Sequence, residues 1–251
     1  MKWTALLLLI TLCACSGGTQ EAEHAEAHPQ WSYEGDTGPE HWAELDHSWE
    51  IAAKGKSQSP IDLGEAEPGD AGTLTFNYLE SGFRITNNAH TVQVPVESGS
   101  WVEIDGKRYH HKQFHLHSPS EHAIDGEHSE LEIHCVHEGE NKELAVVGFL
   151  MDAGPASPNF DIFMDNIPTE GETRVIPDFR MNLSRMLPED TDHKYHYSGS
   201  LTTPPCTENV EWIILKSHAT ASEAQIAKVR KYYQGNNRPI QPLNGRQVMV
   251  D

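Results

Sequence analysis

Basic residues are scarce in this 251-residue chain: 18 lysines and arginines stand against 38 aspartates and glutamates, a formal net charge of −20. That deficit opposes binding to DNA, RNA or an anionic lipid surface and favours a small ligand. Cysteines number four, too few for a disulfide-dense scaffold. No apolar run reaches bilayer-spanning length, which excludes a polytopic helical membrane protein. There is no collagen triplet, heptad ladder or fixed-period repeat, and no Pro/Gly/Ser linker divides the body of the chain, so one domain is expected. Histidine, by contrast, is abundant, with 16 copies. Neutral imidazole is the commonest metal ligand and titrates near neutral pH, so metal chemistry is the first possibility to test.

The N-terminal segment reads as an address. Lys2 supplies a short positive region, Ala5 to Leu12 an apolar run too short to span a membrane, and Leu12-Cys13-Ala14-Cys15 small residues before a cysteine. The run resembles the lipobox of bacterial lipoproteins. It implies a signal peptide over residues 1–14, cleavage before Cys15 and lipidation of that cysteine, enough for stable anchoring. A plain secretory signal cut near Ser16 is the alternative, and both predict export to the periplasm or cell surface. Residues 15–30, rich in Gly, Glu, Ala and His, read as a flexible acidic tether, leaving 31–251 as the folded domain.

That domain is mostly short apolar/polar alternation broken by Gly, Asn, Asp and Pro, as in Thr73 to Tyr78, Phe83 to Thr86, Thr91 to Val96, Trp101 to Ile104 and Glu211 to Lys216. Leu144 to Met151 is continuously apolar, the pattern of a central strand buried on both faces. One helix is expected over Ser222 to Gln234, opened by a Ser222/Gln225 capping box and closed by Gly235. The expected fold is mainly β (α+β), with peripheral helices.

In Gln113-Phe114-His115-Leu116-His117 the alternation puts both histidines on one face of a strand and Phe114 and Leu116 on the other. A second alternating run, from Leu131 to Val136, follows at loop-and-return distance and brings His134 as a third ligand. Three neutral nitrogens leave the full charge of a divalent ion on its fourth position. This suits catalytic Zn²⁺ generating hydroxide near neutral pH, not a closed structural site. Gln113 and Glu132 each precede a ligand by two residues, on the same face, where each can hold its neighbour's far ring nitrogen. In Leu201-Thr202-Thr203-Pro204-Pro205 a hydroxyl beside the metal hydroxide could accept its hydrogen bond while donating to a carboxylate. Glu121 is the candidate acceptor. His115-x-His117 followed by Glu121 also reproduces half of a cupin motif, but the companion half, with His137 and Asn141, lacks the Pro-x-Gly it needs.

Taken in order and spacing, Phe114-His115-Leu116-His117, Ser120-Glu121-His122, Glu132 to His137, Ser200 to Pro205 and Asn237 to Leu243 resemble the α-class carbonic anhydrases. Gly38-Pro39-Glu40-His41-Trp42 and Gln58-Ser59-Pro60-Ile61-Asp62-Leu63 resemble that family's N-terminal signatures, so the likeness runs from about Trp31 to Val250. It implies a single domain on a large, twisted, mostly antiparallel central sheet with zinc at the bottom of a conical cleft, and reversible hydration of carbon dioxide to bicarbonate and a proton. By the same resemblance His115, His117 and His134 are zinc ligands, Thr202 with Glu121 orients the hydroxide, and Gln113 and Glu132 support the ligands. Val136, Val146, Leu201, Val210 and Trp212 form an apolar wall for the nonpolar substrate, with Thr203 beside them. His90 matches the proton-shuttle position, and Tyr33, Asn88 and Gln93 the residues that order its water chain.

Partners are then the small molecules carbon dioxide and bicarbonate, with no nucleic acid, membrane contact only through the lipid anchor, and a monomer or homodimer. The same fold could instead serve a non-catalytic zinc-binding or adhesion lipoprotein. One departure stands out: exported relatives often bridge a cysteine before Gln-Ser-Pro to one after Thr-Thr-Pro-Pro, and Ile51 to Ser57 holds none. Cys135 and Cys206 are therefore expected to be thiols, with a loss of roughly 2–4 kcal/mol relative to a bridged protein.

Overall fold

In the computed structural model the described residues are 29–251. The expected signal peptide, Cys15 and the expected tether up to residue 28 lie outside them. Fourteen strands are present among these residues: β1 (Glu67–Pro68), β2 (Leu74–Asn77), β3 (Ser81–Asn87), β4 (Val92–Pro95), β5 (Trp101–Ile104), β6 (Lys107–His117), β7 (Ala123–Ile124), β8 (Glu127–His128), β9 (Leu131–Glu138), β10 (Leu144–Ala153), β11 (Thr173–Met181), β12 (Lys194–Ser200), β13 (Glu208–Ala221) and β14 (Met249–Val250). Twelve join one sheet in the order β1-β14-β12-β13-β10-β9-β6-β4-β3-β11, with β5 pairing β6 and β2 pairing β5. β7 and β8 make a separate ribbon.

The sheet is mostly antiparallel, the parallel pairs being β10 with β13 and β1 with β14. The apolar run of β10 occupies the centre between β9 and β13 and is buried almost throughout. Alternation divides its side chains between two cores. After the short helices α1 (Trp42–Leu45) and α2 (Ile51–Lys54) come α3 (Pro158–Asp165) and α4 (Glu223–Arg230), which cover one face, where Val147 and Phe149 join Phe114, Leu116, Ile133 and Cys135. Val146 joins Val210, Trp212 and Ile214 on the other. Phe160 and Phe163 of α3 and Ile226 and Val229 of α4 are buried in the first core, a contribution of roughly 1.5–3 kcal/mol for each fully buried large apolar side chain.

The capping box forms as expected: the Ser222 hydroxyl accepts from Gln225 N at 3.3 Å and the Gln225 carbonyl accepts from Ser222 N at 2.9 Å. The same amide donates to Ser157 O at 2.7 Å, tying α4 to the start of α3. The helix stops at Arg230, short of the expected Gln234. Lys231 and Tyr232 bond three residues back instead of four, which tightens the last turn, while Tyr233 N still bonds the Val229 carbonyl four back and its ring is buried in the core. Cys135 and Cys206 are both free and buried, and Cys206 packs with Trp42 and Ala52 where no second sulfur is available.

Candidate metal centre

Register assembles the histidines. β6 and β9 pair so that His115 lies directly opposite His134, with His117 two residues along the same face of β6. The three rings have centroid separations of 5.1, 5.3 and 4.6 Å, and one nitrogen from each falls within 4.8 Å of the other two. The opposite nitrogen of each ring is committed. His115 Nδ1 donates to Gln113 Oε1 at 2.9 Å, His117 Nδ1 to the Asn236 carbonyl at 2.6 Å, and His134 Nε2 to Glu132 Oε1 at 2.7 Å. Because those partners accept, the protons sit on these nitrogens, leaving lone pairs on His115 Nε2, His117 Nε2 and His134 Nδ1.

Burial, and then the neighbouring rings, hold His115 well below the ordinary histidine pKa, and burial lowers His117 as well. Neutral imidazole is the form that ligates metal. His117 Nε2 is buried with no hydrogen-bond partner, a donor atom that a cation would satisfy. The donor set therefore fits a borderline ion such as Zn²⁺.

Glu132 is fully buried and accepts four hydrogen bonds: from Glu121 N and His122 N at 2.8 Å on one oxygen, and from His122 Nδ1 and His134 Nε2 at 2.7 Å on the other. Burial alone would raise its pKa, but His122 and His134 outweigh that and hold it well below the carboxylate range. Behind His122 the chain continues through the Tyr197 hydroxyl, 2.7 Å from His122 Nε2, to Ser59 Oγ at 2.8 Å. Gly148 lies opposite His134 on β10, and a Cβ there would stand 3.2 Å from Glu132 Oε1 and 2.6 Å from Ile214 Cδ1. Glycine at this position leaves room for the carboxylate beneath the ring.

Glu121 Oε1 accepts from Arg238 N at 2.8 Å, while Oε2, 3.5 Å from His117 Nε2 and 3.8 Å from His134 Nδ1, is buried without a hydrogen-bond partner. Thr202 is buried on the loop after β12. The structure draws no hydrogen bond between Thr202 and Glu121, so the expected direct link is not made. Thr203 lies in the turn closed by Cys206 N donating to Thr203 O at 2.8 Å.

The five wall residues come together. Val146 sits between Val136 and Trp212 in register, and Leu201 and Val210 pack into the same cluster. Trp212 Nε1 donates to Ser200 O at 2.8 Å, which fixes the indole with its ring 4.9 Å from that of His134.

His90 is half-buried on a turn after β3, its ring stacked on Trp31 at 3.6 Å and 6°. Burial holds its pKa below the ordinary value, against an opposing pull from Glu170. Asn88 Oδ1 accepts from His90 N and Thr91 N, so this side chain caps its own turn. Gln93 pairs with His115 across β4 and β6. The Tyr33 hydroxyl is buried without a partner, and burial followed by Glu121 pushes its pKa up.

Several contributors escaped sequence reasoning. Asn236 accepts from His117 through a backbone carbonyl, which has no residue-type signature, while its side chain accepts from Ser118 N and donates to the His90 and Leu116 carbonyls. His122 and Tyr197, which extend the Glu132 chain, carried only the signal that His122 stands beside Glu121. No helix among the described residues is long and apolar enough to cross a membrane.

Comparison with known proteins agrees with this geometry. The family profile described as eukaryotic-type carbonic anhydrase matches residues 37–251. A carbonic anhydrase of Nostoc sp. is 39% identical over 226 residues, covering 87% of this chain and 85% of its own. One from Neisseria gonorrhoeae is 37% identical over 251 residues, covering 99% and 96%. The structure of a hyperthermostable carbonic anhydrase from an active hydrothermal vent chimney superposes with a TM-score of 0.85 at 40% identity, over 88% of this chain and 99% of that one. These likenesses leave no place for the cupin reading. The chain belongs to the α-class, eukaryotic-type carbonic anhydrases, zinc-dependent lyases that hydrate carbon dioxide.

Proposed function

We propose that this chain hydrates carbon dioxide at a zinc ion held by His115 Nε2, His117 Nε2 and His134 Nδ1, with Gln113, the Asn236 carbonyl and Glu132 fixing each ring from behind. The observation that carries the reading is the convergence of three ring nitrogens whose opposite nitrogens are all engaged by acceptors. When bound there, zinc supplies Lewis acidity that brings water ionisation near neutral pH, an effect for which carbonic anhydrase is itself the reference case.

The remaining roles fall to the chain. Glu121 Oε2, buried and unpartnered, is an acceptor kept for a proton-bearing group, and the Thr202 hydroxyl is that group's partner in orienting the nucleophile. Val136, Val146, Leu201, Val210 and Trp212, with Thr203 at their edge, give the apolar substrate a dry surface beside His134. His90 carries the released proton outward, because an imidazole accepts it far better than water does. Tyr33, Asn88 and Gln93 flank that path. Export with lipid attachment through Cys15 belongs to the same proposal and is supported by the Leu12 to Cys15 run.

Stopped-flow hydration of carbon dioxide with and without a zinc chelator tests the reading. Activity that disappears with chelation and returns with zinc is expected. Stoichiometric zinc without hydration activity would instead mark a binding protein, and activity indifferent to chelation would remove zinc from the reaction.

A further inference from the structure

Asn87, the last residue of β3, is buried, and every polar atom it has is engaged. Its N donates to Glu172 O at 3.0 Å, its carbonyl accepts from Gly171 N at 2.8 Å, and its Nδ2 donates to the Pro168 carbonyl at 3.1 Å. Its Oδ1 accepts from both Ala89 N, at 3.2 Å, and the Tyr233 hydroxyl. Ala89 has φ +73°, the left-handed region that costs a residue bearing a Cβ. A groove of about 530 Å³ lined by Asn87, Ala89, Glu170 and Tyr233 runs beside the turn, so packing does not brace it on that side. The Tyr233 ring, just past the end of α4, is buried in the core beside Ile226 and Val229, and from there its hydroxyl reaches Asn87.

We propose that Tyr233 and Asn87 are positioning residues for proton export: the Tyr233 hydroxyl locks the Asn87 amide, which holds Ala89 left-handed and so sets the direction in which His90 leaves its turn. The inference rests on the reading of His90 as the shuttle. Neither residue hydrogen-bonds to a metal ligand or to the apolar wall, and Tyr233 packs in the other core, so the chemical step is expected to be unaltered. Ala89 N, which only donates, and the Pro168 carbonyl, which only accepts, fix which way the Asn87 amide faces, and the Tyr233 hydroxyl donates to the oxygen so placed.

The test uses Tyr233→Phe, Ala89→Gly, their combination, and His90→Ala, all as zinc-loaded protein. For Tyr233→Phe, kcat in weak buffer falls roughly threefold to tenfold, the worth of one buried hydrogen bond, while kcat/KM holds and added imidazole restores kcat. Amide hydrogen exchange at Ala89 to Thr91 quickens in the same variant, with or without metal. In the Ala89→Gly background the loss shrinks, because glycine takes positive φ without the steric cost. Unchanged exchange at the turn, a fall of kcat/KM in step with kcat, or an equal loss in the glycine background overturns the proposal. If His90→Ala shows no buffer-dependent defect, the shuttle reading itself falls and this inference falls with it. If His90→Ala is defective and Tyr233→Phe is not, only the positioning claim is lost.

Discussion

Glu132 and His134, two residues apart on β9, meet at 2.7 Å, and three further hydrogen-bond donors converge on the same carboxylate. A carboxylate that only accepts is thus matched to four N–H groups. Glu132→Gln turns one end of the side chain into a donor facing donors. Zinc affinity, measured by competition with a chromogenic chelator, should fall roughly 10- to 100-fold. That is the range typical of such outer partners, carbonic anhydrase sites among them. Unaltered affinity would remove Glu132 from the support of His134.

Thr202 stands apart from the ligand set, so its removal separates binding from turnover. Thr202→Ala should retain one zinc per chain by metal analysis yet lose on the order of 100-fold in kcat/KM, because the nucleophile is no longer oriented. Loss of zinc in parallel with activity would instead make Thr202 a structural support of the site.

His90 is stacked on Trp31 and is not among the three histidines whose ring nitrogens converge. His90→Ala should slow kcat in weak buffer by roughly tenfold or more and recover with added imidazole, while kcat/KM changes little. Imidazole without effect would dismiss the shuttle.

A separate pair of buried histidines is expected to contribute to acid sensitivity. His111 and His137 face each other across β6 and β9 and stack at 4.6 Å, with the Tyr78 ring 4.7 Å from His111 and its hydroxyl 3.0 Å from His137 Nε2. Burial pushes His111 down to about 4. The folded state therefore binds fewer protons than the unfolded one between about pH 6.5 and 4, so stability is complete above that window and lost as pH falls through it. His111 alone should make urea-unfolding stability about 2 kcal/mol lower at pH 5 than at pH 7, and His111→Leu should remove that difference. Equal pH dependence in the variant would place the acid sensitivity elsewhere.

Legibility in the sequence followed the physics of periodicity. A period of two puts His115 and His117 on one face and Phe114 and Leu116 on the other. It also predicts the contacts of Gln113 with His115 and of Glu132 with His134, because all four lie within single strands. The central position of β10 was equally readable from its unbroken apolar run. Contacts between distant segments were not. The Asn236 carbonyl on His117 depends on where α4 ends and how the chain returns to β6, and a backbone acceptor is the same in every residue. Arg238, which donates to Glu121 from its backbone and to Gln58, Ser59 O and Ala52 O from its side chain, is a buried cation whose partners lie up to 186 residues away in sequence. The missing Thr202 to Glu121 hydrogen bond was likewise beyond a spacing argument, since the two residues lie on separate loops far apart in the sequence.

The most direct measurement is X-ray absorption at the zinc edge on the reconstituted protein and on His115→Ala. Three imidazole nitrogens and one solvent oxygen, all at about 2.0–2.1 Å, are expected in the parent, with one imidazole fewer or no bound zinc in the variant. A fourth protein donor in the parent, or an unchanged imidazole count in His115→Ala, would contradict a site built on His115, His117 and His134.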